Sequence, residues 1–192
     1  MRIVKNIWAQ LHRFVFWALV LSLLWSWIYT FVGDTTRDKK LILCVDAYAL
    51  DQRPLALRLE DEGLPAGIKM IQVRSFGYDF LGTEMEGDLY LMKASILEAT
   101  LADTPGKLAP LTLPEGMAGY ERDGKSWGIL VFDPETQHGP AMNYIQYTPL
   151  PDPEPEAYYL CFDAAGPHYA GNDGALDNAA WEVAITFLEI DK

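Results

Sequence analysis

Hydrophobic positions dominate from Phe14 to Val32 (FVFWALVLSLLWSWIYTFV), a stretch with no Asp, Glu, Lys, Arg or His. Arg2, Lys5 and Arg13 precede it, and Asp34, Arg37, Asp38, Lys39 and Lys40 follow at once. At about 1.5 Å per residue a helix of this length reaches about 28 Å, close to the roughly 30 Å hydrocarbon core of a bilayer. A cleavable signal peptide has a shorter apolar core, of about 7 to 15 residues, with small side chains before the cut. Here the exit reads Tyr29, Thr30, Phe31, Val32, Gly33, so the segment is expected to stay attached as a transmembrane signal anchor. The predicted organisation is a basic cytoplasmic leader over 1–13, the anchor over 14–32, a juxtamembrane linker over 33–39 and one domain over 40–192. Basic residues number three on each flank, a tie under the positive-inside rule. The free amino terminus and the short leader ahead of a long acidic domain place that domain outside the cytoplasm. Trp17, Trp25, Trp27 and Tyr29 could form an interfacial belt or face lipid.

Beyond residue 40 the apolar positions fall into short runs. Lys40 to Asp46 (KLILCVD) predicts a buried strand, an apolar run bounded by charge with no turn residue inside. Residues 51–63 are ambiguous: Leu55, Leu57 and Leu59 alternate like a strand, yet Asp51 suits a cap, Pro54 a first turn and Gly63 a helix end. Helix is favoured. A strand over Ile68–Arg74 then completes a strand–helix–strand unit, which predicts a parallel pair joined by a crossover. Gly87–Lys93 predicts a third strand. Ser95 is placed to cap a helix over Ile96–Leu101, with Glu98 at capping-box spacing. Asp123-Gly124 between extended arms is the sequence of a two-residue hairpin turn, whose central positions both need positive φ. The return arm Trp127–Asp133, an alternating segment Met142–Thr148 and Tyr158–Phe162 read as further strands. Pro149 to Pro155 reads as an extended acidic linker. Asp177 is expected to cap a final helix carrying Ala180, Trp181, Ala184, Ile185 and Leu188 as its inward stripe.

Charge changes the picture of partners. All 27 acidic residues lie after residue 32 with 12 of the 15 basic ones, a net of −15 that disfavours nucleic acid and anionic headgroups. About 160 residues suffice for one compact core and are short for two. The two cysteines, Cys44 and Cys161, each sit in an apolar strand-like run, so buried free thiols are favoured over a bridge, which would require neighbouring strands.

Taken in order, LCVDAYALD, GIKMIQVRSF, GDLYLMKAS, KLAPL, YERDGKSWGILVFD and YYLCFDAAGPHYAG resemble extracellular solute-binding proteins of ABC importers, the type 2 periplasmic-binding-like fold. The resemblance covers most of residues 40 to 190 and implies an α/β domain shaped like one lobe of such a protein. It departs from the family in size, since those proteins close two lobes over a solute and this chain has length for one. A single lobe offers one wall where a small-molecule site usually buries about 70 to 90% of its ligand. The resemblance carries over no ligand contact residue by residue.

The candidate chemistry is sparse. Asp46 ends the first strand, where open α/β sheets place binding groups; with Asp88 it could instead be a loop carboxylate holding backbone amides. Tyr48, the aromatic cluster Phe76, Tyr78 and Phe80, and His168 complete the expected ligand-binding surface, burial of the aromatics being the alternative. His168, in a loop with Asp163 and Asp173, fits no metal-ligand spacing, and Asp163, Asp173 and Asp177 lack the pattern of a calcium loop. No serine has a nucleophile-elbow setting, and no phosphate loop is present. No cofactor or metal is expected. The expected function is a membrane-anchored, non-catalytic binding or interaction module for a solute or a protein partner. The alternatives are an envelope hydrolase using Asp46, Asp163 and His168, or a structural accessory of a membrane complex.

Overall fold

The structure, a computed structural model, describes residues 2–33, 35–76, 86–148, 155–169 and 179–191, and on the first helix the side chains of 11–26. The chain forms two units, Met1–Thr36 and Arg37–Lys192. The first is a single helix, α1 (Arg2–Gly33), which runs through both the basic leader and the apolar stretch. Among the described residues no helix is both long and apolar enough to cross a membrane. The described side chains of α1 stop inside the predicted span 14–32, so the anchor remains an expectation from sequence.

The second unit is an α/β domain with one mixed six-stranded sheet, in the order β3-β1-β4-β8-β6-β5. Strands β1 (Lys40–Val45), β3 (Met70–Ser75) and β4 (Leu89–Lys93) are parallel. Strand β8 (Tyr158–Phe162) runs antiparallel to β4, and β6 (Lys125–Phe132) and β5 (Gly119–Arg122) complete the sheet by antiparallel pairing. Near-continuous burial of β1 and β4 follows from their central places, covered on both faces. Alternation along these strands supplies two cores. Leu41, Leu43, Val45, Leu89, Leu91, Tyr158, Leu160 and Phe162 face helices α2 (Gln52–Glu62) and α4 (Ala179–Glu189). Ile42, Cys44, Tyr90, Met92 and Cys161 face Leu97 of helix α3 (Ala94–Asp103) and Leu108.

The ambiguous segment is helical, as expected: α2 buries Leu55 and Leu59 one turn apart and leaves Leu57 half exposed. Helix wins because Glu60 then reaches Ile71, accepting its N–H at 2.8 Å on the outer edge of β3. The crossover from β1 through α2 to β3 gives the expected parallel pair. The Asp123-Gly124 turn is present, with φ of 55° and 71° and Arg122 paired to Lys125. Three expectations need correction. Helix α3 starts at Ala94 and Ser95 lies inside it; the Ser95 N–H goes to Glu156 Oε2 at 3.2 Å, and Glu98 instead accepts from the Tyr120 hydroxyl at 3.0 Å. The 142–148 strand shrinks to β7 (Ile145–Gln146), paired with β2 (Ala49–Leu50) in a small separate ribbon, because the chain turns at Ala141 with φ of 56°. Helix α4 buries Val183 and Phe187 with Ala180, Trp181 and Ala184, while Ile185 and Leu188 are only partly covered. Asp177 and most of the 149–155 linker lie outside the described residues.

The cysteines occupy one row. Cys44 and Cys161 each stand opposite Tyr90, on either side of β4. Two strand spacings amount to about 9.6 Å, beyond the roughly 7 Å Cα limit for a disulfide, and both thiols are free.

Candidate functional site at the carboxyl edge of the sheet

The direction of each strand decides which side chains can meet. Strands β1, β3 and β4 deliver Asp46, Phe76 and Lys93 to one edge of the sheet, their carboxyl ends. Asp46 is held there by its N–H, which donates to Leu91 O at 2.7 Å, and Tyr48 by its N–H to Gln146 O at 3.1 Å. Lys93 Nζ lies 3.7 Å from Asp46 Oδ2 and 4.1 Å above the Tyr48 ring. In the ladder Lys93 stands opposite Tyr158, whose ring is fully buried against Phe132 and Tyr147 at centroid distances of 6.1 and 5.0 Å. Asp46, Tyr48, Lys93 and Tyr158 thus form one group.

Among the described residues two atoms, both of this group, are buried without a hydrogen-bond partner, Asp46 Oδ2 and Tyr158 Oη. The 3.7 Å gap to Lys93 is an ion pair too long to be a hydrogen bond. Burial holds the Tyr158 phenol far above its ordinary range, and the charge of Asp46, followed by those of Tyr48 and Glu156, adds to it. At neutral pH this hydroxyl is therefore a donor. Tyr48 stays half exposed, with Lys93 Nζ over one face of its ring.

Phe76 does not join them. It packs edge-on against Tyr90 at 6.0 Å in the core beneath α3, where it floors a shallow groove with Ser95, Ile96, Ala99 and Thr100. Tyr78 and Phe80 lie outside the described residues.

His168 and Asp163 belong to the opposite edge. Because β8 is antiparallel to β4, the loop that follows it returns to the amino ends of β1 and β4. His168 Nε2 lies 3.1 Å from Lys40 O and 3.2 Å from Arg37 O, so it donates to carbonyls at the start of β1. Asp46 follows the far end of that strand, about 20 Å away at about 3.3 Å per residue. Asp163 accepts the Tyr90 hydroxyl at 2.8 Å on one oxygen and the Ala165 N–H at 2.8 Å on the other. The three residues that a hydrolase would combine are not assembled, and the expected surface of Asp46, Phe76 and His168 is divided over two edges. Asp88, at the amino edge, is fully buried and does hold a backbone amide, that of Ile42, as well as Arg37.

Sequence reasoning named Asp46 and Tyr48 but passed over Lys93 and Tyr158. The available signal was a cation closing a buried apolar strand (GDLYLMK), where only a nearby anion or ligand compensates it. Compared with protein-family models, curated proteins and solved structures, the chain has no match in any of the three.

Proposed function

We propose that the chain is a single-pass, membrane-anchored protein whose acidic α/β domain lies outside the cytoplasm, shaped like one lobe of an extracellular solute-binding protein. The domain acts as a non-catalytic binding or interaction module. The observation that carries this reading is the carboxyl-edge group, where two buried polar atoms beside Lys93 have no hydrogen bond among the described residues. Buried polar groups are nearly always paired, and each one left unpaired costs about 1–3 kcal/mol. Two such atoms at the sheet edge where α/β proteins place ligands are a cost that a binding function explains. For the anchor, the support is the continuity of α1 through the apolar run and the exposure of Phe14, Val15, Phe16 and Trp17, each 49–73% exposed. Successive helical positions are about 100° apart, so these four present apolar surface all round the helix, which suits lipid or neighbouring helices better than water.

The test uses the full chain in a detergent without a sugar headgroup, melted with pools of sugars, amino acids, peptides and polyamines. A concentration-dependent rise in melting temperature that Asp46→Ala abolishes is the expected result. No rise with any pool, together with no co-purifying partner, would remove the reading. Co-purification with membrane partners through α1 alone would replace it with the accessory role.

A further inference from the structure

The two unpartnered atoms differ in what they need. Asp46 Oδ2, ion-paired with Lys93, offers an acceptor, whereas the Tyr158 hydroxyl brings an O–H that seeks one. An ammonium group on a ligand could donate to Asp46 and to the lone pairs of Tyr158 Oη, but it would leave the Tyr158 O–H without an acceptor and would approach the Lys93 ammonium. A carboxylate or phosphate could accept from Tyr158 and pair with Lys93, but it would face the Asp46 carboxylate 3.7 Å from that ammonium. A hydroxyl donates and accepts at one atom. Beside this pair the half-exposed Tyr48 ring supplies a flat apolar platform of the kind that carries the C–H face of a hydroxylated ring.

On the reading of this edge as a binding site, we infer that its ligand is a neutral polyhydroxylated molecule, a sugar or polyol, whose hydroxyls donate to Asp46 Oδ2 and accept from Tyr158 Oη. Lys93 covers the pair in the ligand-free state. Its ammonium is held to Asp46 by an ion pair of 3.7 Å and to the Tyr48 ring at 4.1 Å, with no hydrogen bond to Asp46, and its flexible stem can swing aside. In the bound state it donates to a neighbouring ligand hydroxyl.

The experiment melts the full chain in a detergent without a sugar headgroup against separate panels of neutral sugars and polyols, zwitterionic amino acids, polyamines and sugar phosphates. The expected result is a rise with at least one neutral sugar or polyol. Tyr158→Phe should then weaken affinity at least tenfold while the ligand-free melting temperature stays the same or rises, since Phe fills the same space without an unpaired hydroxyl. A rise produced only by amino acids, polyamines or sugar phosphates, and abolished by Asp46→Ala, would overturn the polyol assignment and leave the edge standing as a site. Sugar binding untouched by Tyr158→Phe would overturn the assignment of a ligand hydroxyl to Tyr158. Silence from every panel, with no partner, would overturn both this inference and the reading beneath it.

Discussion

Asp88 and Arg37 form the most testable contact in the domain because the two partners are unequally exposed. Asp88 has no exposed side-chain surface and gathers three donors, Arg37 Nη1 at 2.8 Å, Arg37 Nη2 at 2.9 Å and Ile42 N at 2.7 Å. The Arg37 side chain is 38% exposed and also donates to Lys40 O at 2.8 Å. Arg37→Ala strands a buried carboxylate with one amide donor. Removing one partner of a buried pair costs about 3–5 kcal/mol, and water can enter from the Arg37 side, so the lower end applies, about 3 kcal/mol. Asp88→Ala leaves a guanidinium that water can solvate and an unpaired Ile42 N–H, about 2 kcal/mol. The double variant should cost about as much as Asp88→Ala alone, because no charge is then stranded; the single effects should not add. In melting temperature the Arg37 variant should fall by about 6–12 °C, at about 2–4 °C per kcal/mol for a domain of this size. Urea unfolding of the full chain, followed by tryptophan fluorescence, measures all three variants. Single variants within about 0.5 kcal/mol of the parent, or effects that sum in the double variant, would refute the pairing as a source of stability.

At Gly128 a Cβ would come within 2.8 Å of Cys161 Sγ and 3.0 Å of Tyr159 Cβ, so Gly128→Ala should cost about 1–3 kcal/mol by overpacking, read from the urea midpoint. Neither cysteine should react with a thiol reagent at pH 8 until the domain unfolds, and non-reducing mass analysis should find no internal bridge. Burial raises the Cys44 thiol from 9.0 to about 11 and raises Cys161 and the phenols of Tyr90, Tyr147 and Tyr158 further. These folded-state values exceed the unfolded ones. Their stabilisation is therefore complete below pH 9 and is lost as the pH rises toward 11 and beyond, and Cys44→Ala should flatten the decline between pH 9 and 11 in urea midpoints.

Much of the architecture was legible because its causes are local. The continuous apolar runs that became β1, β4 and β8 report burial on both faces wherever they sit, and Asp-Gly forces a hairpin whatever surrounds it. What failed depended on distant partners. The cap of α3 comes from Glu156, 61 residues along the chain from Ser95, and the inward face of α4 is set by the sheet and helix it meets, which move Phe187 inside and leave Leu188 at the margin. The place of Asp46 at the carboxyl end of β1 was legible from the strand that precedes it. Tyr158 was not, since its hydroxyl acquires meaning only once β8 is known to lie beside β4 with Lys93 opposite.

The grouping of Asp46 with His168 failed for the same reason, and the failure shows how the sheet sorts its polar residues. A run such as YYLCF announces a strand but carries no direction. Had β8 joined in parallel, the loop after it would have arrived beside Asp46, and a carboxylate–imidazole pair would have been available for proton transfer. Antiparallel insertion between β4 and β6 sends that loop to the amino edge, where His168, Asp163, Asp88 and Arg37 spend their hydrogen bonds on carbonyls, amides and each other. The carboxyl edge receives the residues just before β8 instead, Glu156 and then Tyr158 at its first position. One strand direction thus places His168, Asp163 and Asp88 at one edge of the sheet and Asp46, Lys93 and Tyr158 at the other. At the second edge Asp46 Oδ2, ion-paired with Lys93, and Tyr158 Oη have no hydrogen bond among the described residues, which is what the proposed ligand would supply.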